Sequence, residues 1–334
     1  MPNPLRSLSV DPFIVALIGA AALGFLVPAT GAVAPIVSYV TKASIALLFF
    51  LQGVRLQRAA VIAGLTHWRL QLLTLACTFA LFPVLGLALR ATVPGLLDPS
   101  LWIGVLFLCA LPSTVQSSIA FTSIAKGNVA AAICAATASN LIGIVLTPLL
   151  VAALLNLHAG ASPLEQIESI VLQLLVPFIA GQIASRWLRP WAMRHARLLT
   201  ISDRGSIILI VYAAFSAAVQ AGAWARLSWM DIVKVIAICA GLLAIALAAT
   251  RFASRAARFA REDEIAVVFC GSKKSLATGV PMANILFPAA TVGLAILPVM
   301  VFHQIQLMVC AGLARRWASR ALAAERAETG PPVT

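Results

Sequence analysis

Long apolar segments follow one another along the whole chain, and any fold must keep nearly all of them out of water. A membrane-spanning helix needs about 20 mainly apolar residues. By that rule the sequence contains ten such segments, at residues 12–28, 35–54, 68–90, 101–125 (interrupted), 128–154, 166–186, 205–222, 231–250, 264–287 (interrupted) and 289–313. Only 10% of the residues are charged and 61% are hydrophobic, which excludes a soluble globule of this size. The sequence predicts an all-α integral membrane protein with ten transmembrane helices.

Basic residues are concentrated in alternate connections between these segments. Most arginines lie after the second, sixth and eighth segments and in the C-terminal tail. Three connections contain no Lys or Arg: residues 28–34, 155–165 and 288–290. By the positive-inside rule, this alternation predicts a cytoplasmic N-terminus at 1–11 and a cytoplasmic basic tail at 315–334. We expect the multi-pass chain to lie in a bacterial inner membrane. We expect residues 320–334 to be disordered.

The first segment has a second interpretation. Arg6, the apolar run after it and Ala32-Val33-Ala34 also resemble a cleavable signal peptide. We favour a membrane span because nine further segments follow and need an N-terminal partner.

Two of the ten segments are interrupted. The fourth contains Pro112 beside a run of polar residues, and proline breaks a helix because it lacks an N–H donor and clashes with the preceding turn. We expect a half-helix to begin near Ser113 with a serine cap. The ninth segment breaks at residues 271–275, where Ser272 or Ser275 is available as a cap.

The interrupted segments are the fourth and the ninth of the ten, so each is the fourth segment of its own half of the chain. Two five-span halves, here 12–154 and 155–314, each have an odd number of spans and are therefore inverted relative to each other in the membrane. Interrupted spans at corresponding positions of such halves indicate the substrate site of a transporter. The sequence therefore predicts a site where the two breaks meet.

The second break contains two adjacent lysines, Lys273 and Lys274. A lysine at bilayer depth costs about 2.5–3.5 kcal/mol on insertion scales, so the pair needs a compensating role. Neighbouring side chains on a helix do not point the same way. We expect one lysine to face the site and the other to contact backbone or water near the opposite face, and we favour Lys273 for the site.

Polar residues on the fifth and tenth segments complete the candidate site. They are Thr137, Ser139 and Asn140, which fall on or near one helical face, and His303, Gln304 and Gln306. Such residues either line a site or hydrogen-bond a neighbouring helix. The candidate lining residues are Ser113, Thr114, Gln116, Ser117, Ser118, Thr137, Ser139, Asn140, Ser272, Lys273, Lys274, Ser275, His303 and Gln304. The six cysteines are isolated in apolar segments without ligand spacing, so we predict no metal site. We also predict no catalytic residue and no cofactor.

The residues at the two breaks resemble those of a known family of carriers. The run from Leu111 through residues 123–128 to Leu150, together with residues 269–275, resembles the bile acid:sodium symporter family, and within it the branch related to the seventh human member. The resemblance covers nearly the whole chain. It implies ten helices in two inverted five-helix repeats, a core domain, a panel domain, and broken fourth and ninth helices that cross.

This chain departs from the transporting members of that family at their ion site. Where they have a Gly-Gly-rich turn and a Ser-Asn pair, it has Ser113-Thr114 and Ser117-Ser118. Where they have a sodium-ligating Glu followed by a Gln, it has Phe269 and Lys273. The lysine has three interpretations at this stage: a permanent substitute for the bound cation, a group that releases its proton during transport, or an attraction for an anionic substrate.

The sequence and the resemblance together predict a secondary carrier of small organic anions that works by alternating access and is not coupled to sodium in the usual way. Its partners are the organic anion, the lipid bilayer and, in one interpretation, protons. Two alternatives stay open: a non-transporting membrane regulator, for example of ion homeostasis, and a sodium-coupled symporter with a rebuilt ion site. An enzyme is not expected, since HExxH, GxSxG and phosphate-binding glycine motifs are missing. No nucleic-acid-binding motif accompanies the net charge of +13.

Overall fold

The computed structural model describes residues 12–55, 67–155, 171–222 and 227–329, and every regular element in these ranges is a helix. In chain order the helices are α1 (Pro12–Leu26), α2 (Val33–Arg55), α3 (Trp68–Thr92), α4 (Pro99–Ala110), α5 (Gln116–Ile124), α6 (Val129–Leu155), α7 (Val176–Arg194), α8 (Ala196–Gln220), α9 (Trp229–Ala256), α10 (Arg261–Gly271), α11 (Leu276–Leu286) and α12 (Ala289–Thr329). A π-helical turn, Cys77–Leu81, interrupts α3, and a second, Val171–Leu175, precedes α7. The prediction of an all-helical fold is confirmed over the described ranges.

Several helices have the length and composition of membrane spans. Among the described residues, six are long and apolar enough to cross a membrane, namely α2, α3, α6, α8, α9 and α12. Large apolar side chains on their outer faces, such as Ile36, Val145 and Phe252, are exposed. An exterior of this kind is stable only in a bilayer, so the chain is a multi-pass membrane protein.

The predicted segments fall on the observed helices. Each of the ten overlaps a helix, and the two interrupted segments fall on the pairs α4–α5 and α10–α11. Ten membrane spans stay a prediction, because length and composition select six of these helices. One clear difference at a helix start is in α8, which begins at Ala196 rather than 205. Its first turns are polar, and Asp203 there pairs with Arg55 of α2.

The predicted ends of the chain are partly tested. Residues 320–329 belong to α12, so the expected disorder is wrong for them. The cytoplasmic N-terminus at 1–11, residues 156–165 of the second basic-free connection, and residues 330–334 of the tail lie outside the described residues.

The chain divides into two compact units, and each draws on both halves of the sequence. The first unit contains α1, α2, α7 and α8 with residues 280–294. The second contains α3, α4, α5, α6, α9 and α10 with residues 276–279 and 295–329. The second unit holds both helix breaks.

Glycines bring helix backbones into contact in the first unit. A Cβ atom on Gly53 of α2 would lie 2.1 Å from the Phe178 carbonyl oxygen, and one on Gly181 of α7 would lie 2.0 Å from the Phe50 carbonyl oxygen. Small residues allow this approach, which is the usual way for helices to associate in lipid. The backbones of α2 and α7 are therefore in direct contact in the first unit.

Candidate functional site

The two helix breaks lie against each other inside the second unit. The Ser275 N–H donates to the Pro112 carbonyl over 2.8 Å, and the Ser113 hydroxyl donates to the Cys270 carbonyl. A third bond runs from the Ser118 hydroxyl to the Phe269 carbonyl over 2.9 Å. Backbone groups released by each break are thus satisfied by the other, as they must be at membrane depth.

The caps of the two half-helices differ from each other. Ser275 caps α11, because its hydroxyl accepts from the Thr278 N–H over 3.2 Å, which confirms one of the two predicted caps. The predicted start of a half-helix near Ser113 is wrong, since α5 begins at Gln116 after Val115, which provides no side-chain cap. The Ser113 hydroxyl is not free for capping because it bonds to the opposite break.

Lys274 occupies a cage of backbone carbonyl groups. Its Nζ atom donates to the carbonyl oxygens of Thr78 at 2.7 Å, Cys109 at 2.8 Å and Leu111 at 2.7 Å. The Phe82 ring lies below it, with its centroid 4.2 Å from Nζ. An ammonium group has three N–H donors, and here all three are used.

Local sequence explains why the Thr78 carbonyl is available to the lysine. Pro83 has no N–H and clashes with the carbonyl four residues before it, so α3 opens into the π turn. In that turn the Phe82 N–H donates to the Cys77 carbonyl instead of to Thr78. The Thr78 carbonyl therefore has no helical donor left.

The other two carbonyl groups of the cage are released by the first break. The Cys109 carbonyl would pair with the N–H of Ser113 in a continuous helix. That N–H instead donates to the Ser139 hydroxyl over 3.0 Å. Leu111 is itself outside the helix, because α4 ends at Ala110. Both carbonyls thus face inward without a backbone partner and accept from the ammonium.

Gln306 of α12 fixes the backbone of Lys274. Its side-chain oxygen accepts from the Lys274 N–H at 2.9 Å, and its side-chain nitrogen donates to the Lys274 carbonyl at 2.8 Å. Gln306 is fully buried, and His303 lies within 2.9 Å of its amide nitrogen. From the sequence, Gln306 was expected either to line the site or to hydrogen-bond a neighbouring helix, and only His303 and Gln304 were placed in the lining set. Its two bonds to the Lys274 backbone show that Gln306 makes a contact between segments.

Lys273 has quite different surroundings. Among the described residues its Nζ has a single hydrogen bond, to the Ser117 hydroxyl over 3.1 Å. Two aromatic rings, Phe121 and Phe269, also contact it, and their centroids lie 4.3 and 5.7 Å from Nζ. A desolvated cation over such rings gains about 2 kcal/mol, so this ammonium is stabilised but not saturated with hydrogen bonds.

A polar network connects α6 to both breaks. The Asn140 side chain donates to the carbonyls of Ser113, at 2.6 Å, and Ala136, at 3.0 Å. Its oxygen accepts from the Thr278 hydroxyl over 2.8 Å. The hydroxyls of Thr114, Ser117 and Ser118 form a chain with separations of 2.9 and 3.0 Å. The network fixes the breaks and ends at the Ser117 hydroxyl beside Lys273.

Four predicted residues lie outside this network. Gln116 is exposed at the start of α5, and Thr137 is half-buried and makes none of the hydrogen bonds described here. The Ser272 hydroxyl donates to the Val268 carbonyl over 2.6 Å within its own helix. Gln304 has a buried amide nitrogen with no partner in the part of the chain that the structure describes.

Carboxylates are missing from the sequence around both breaks. No Asp or Glu occurs at 99–164 or 265–324. The acidic residue nearest to the second break in the sequence is Glu264, which pairs with Arg261 at the other end of α10. A sodium ion needs oxygen ligands, yet here the free carbonyls are taken by an ammonium group, and both lysines repel a further cation. The residues present at the breaks do not fit a sodium ion.

The comparison with known proteins shows the family to which the chain belongs. Residues 11–319 match the SBF-like CPA transporter family, and the chain belongs to that family. An uncharacterized protein of Pseudomonas aeruginosa is 53% identical over 311 residues, 93% of each chain. Escherichia coli YfeH is 49% identical over 308 residues, 92% of this chain and 93% of its own. Sodium/bile acid cotransporter 7 of Rattus norvegicus is 28% identical over 304 residues, 89% of this chain and 88% of its own. The predicted family resemblance is confirmed, and the chain is a member of a transporter family.

Proposed function

We propose that this protein is a secondary carrier of small organic anions that works by alternating access and does not depend on a sodium gradient. The observation that carries the proposal is Lys273, a buried ammonium with a single hydrogen bond among the described residues. It lies where two helix breaks meet, and the sequence around both breaks contains no Asp or Glu. A cation with unused donors attracts an anion, and the surrounding low dielectric strengthens that attraction.

The chain supplies further groups for an anion at this point. The Ser117 hydroxyl already contacts Nζ of Lys273 and can rotate toward a carboxylate or sulfonate oxygen. Ser117 lies in the first turn of α5, where backbone N–H groups and the helix dipole favour negative charge. Phe121 and Phe269 present apolar surface for the organic part of the substrate. Asn140, Ser139 and Ser113 hold the breaks and so position the other groups.

The proposal includes the architecture that the sequence predicted. We place ten helices in two inverted repeats, 12–154 and 155–314, with broken fourth and ninth helices. Both termini are then cytoplasmic. The bacterial relatives from Pseudomonas aeruginosa and Escherichia coli support an inner-membrane location.

Transport by the reconstituted protein tests the proposal. Uptake of labelled organic anions into liposomes is measured under a sodium gradient, a proton gradient or neither, for the wild type and for Lys273→Gln. The matched control is Lys42→Gln, which removes an exposed lysine from α2. We expect saturable uptake that is indifferent to sodium and at least about tenfold lower in Lys273→Gln, equivalent to a loss of about 1.4 kcal/mol. The control should transport like the wild type.

Each other outcome identifies an alternative. Uptake driven by sodium would contradict the proposal and point to a sodium symporter with a rebuilt ion site. Uptake driven by a proton gradient and lost in Lys273→Gln would assign proton release to Lys273. Equal uptake by the wild type and Lys273→Gln would remove this lysine from the substrate site.

A non-transporting regulator is the second candidate function. The full burial of both lysines and the saturation of Lys274 favour it, because a site that is closed on itself needs no ligand. It predicts no flux of any anion by a correctly folded protein and recovery of a partner protein after cross-linking in the membrane.

A further inference from the structure

We propose that Lys274 is a built-in cation that replaces a bound monovalent ion, and that the carbonyl cage around it becomes a cation-binding site when the side chain is shortened. The proposal concerns a different group from the Lys273 ammonium on which the proposed function rests. Its main test measures stability and needs no transport.

The cage has the features of a site for a small cation. Three carbonyl oxygens converge on one point at 2.7–2.8 Å, and they come from positions far apart in the sequence, at Thr78 in α3 and at Cys109 and Leu111 beside the first break. The Phe82 ring closes the cage with its negative face toward the ammonium. Carbonyl oxygens and aromatic faces together are ligands for monovalent cations and ammonium groups.

The cage requires a positive group because its carbonyls have no other donors. The Thr78 carbonyl loses its helical donor to the π turn, and the Cys109 carbonyl loses its donor, the Ser113 N–H, to Ser139. Buried carbonyls without a partner are unfavourable, and three together repel one another. The ammonium therefore joins α3 to the first break from its position in the second break.

The backbone of Lys274 is held so that its side chain reaches the cage. Gln306 bonds both its N–H and its carbonyl, at 2.9 and 2.8 Å. Lys273 has no comparable cage, since its Nζ meets one hydroxyl and two rings among the described residues. The neighbouring lysine is therefore the matched control for the stability measurements.

The test uses n-propylammonium, which reproduces the part of the lysine side chain that Lys274→Ala removes. Thermal unfolding of the purified full-length protein is followed with a thiol-reactive fluorogenic dye, because the six cysteines are free and buried until the protein unfolds. Propylammonium, ammonium and sodium are each titrated at constant ionic strength against choline, which is too large for the cage. Lys273→Ala and the wild type are measured in parallel.

We expect Lys274→Ala to unfold at a lower temperature than the wild type and to be stabilised by propylammonium. The increase in Tm should be about 5 °C at a concentration about 100 times its Kd. The wild type and Lys273→Ala should show no such saturable increase. A Tm of Lys274→Ala equal to that of the wild type, or the same cation effect in all three proteins, would overturn the proposal.

A second variant covers the case in which Lys274→Ala cannot be purified. Lys274→Met keeps all but the last atom of the side chain, removes the charge and leaves no room for propylammonium. We expect it to be less stable than the wild type and insensitive to propylammonium. If Lys274→Met is as stable as the wild type, the cage does not need a positive charge and the proposal is wrong.

A measurement of anion uptake gives an additional test, which rests on the proposed function. If the wild type transports an anion without any added cation, Lys274→Ala should do so only in the presence of propylammonium. If the wild type transports nothing, the proposed function fails, but the stability measurements still decide whether Lys274 replaces a bound cation.

Discussion

Lys273 and Lys274 are adjacent in the chain and equally buried, yet their surroundings assign them different roles. Lys274 donates to three carbonyl oxygens, whereas Lys273 donates to one hydroxyl among the described residues. The Lys274 ammonium is saturated with hydrogen bonds and joins three segments of the second unit. The Lys273 ammonium has donors left for a ligand. Burial alone therefore does not reveal the role of a charged residue in a membrane protein; the number of its donors already in use does.

Removing the charge from each lysine in turn should give the largest difference in stability between the two positions. Lys274→Met leaves three buried carbonyls unpaired, and we expect it to lower the free energy of unfolding by about 3 kcal/mol. Lys273→Met loses one hydrogen bond and two ring contacts and replaces a buried charge by an apolar group, so we expect a change of about 1 kcal/mol or less. Unfolding in detergent–denaturant mixtures measures both. Equal losses of stability in the two variants would contradict the different roles assigned to the two lysines.

Gln306 should matter nearly as much as the lysine that it holds. Gln306→Leu leaves the buried N–H and carbonyl of Lys274 without partners, which should lower stability by about 2 kcal/mol. Gln304→Leu, two positions earlier on α12, is the matched control because its buried amide nitrogen has no partner in the described residues. The control should be neutral or slightly stabilising. A larger loss in the control would show that Gln304 makes the more important contact.

Ser117 should show the smallest effect on stability and a clear one on function. Ser117→Ala removes the hydrogen bond that the Lys273 ammonium makes among the described residues, and it should lower stability by about 1 kcal/mol or less. We expect anion uptake to fall because the lysine loses its orientation. Ser123→Ala, which changes an exposed serine on the same helix, should alter neither quantity. Unchanged uptake in Ser117→Ala would place the anion elsewhere.

The helices and their breaks were predictable because their causes are local. An apolar run of sufficient length predicts a membrane helix, and Pro112 beside serines predicts an interruption. The observed pairs α4–α5 and α10–α11 fall where the two interruptions were expected. The predicted start of α5 near Ser113 was wrong because the Ser113 hydroxyl has several competing partners. The sequence does not show that the Cys270 carbonyl is one of them.

The amino-acid sequence by itself determined that this chain enters a membrane, where its helices break, and that two lysines occupy the second break. Only the tertiary structure decided which lysine is caged and which keeps unused donors. The physical reason is that the cage consists of carbonyl groups, which every residue carries and which no sequence pattern distinguishes. They become ligands only when Pro83 opens a π turn in α3 and Ser139 takes the N–H of Ser113, so that carbonyls 163 to 196 positions from Lys274 meet at its ammonium.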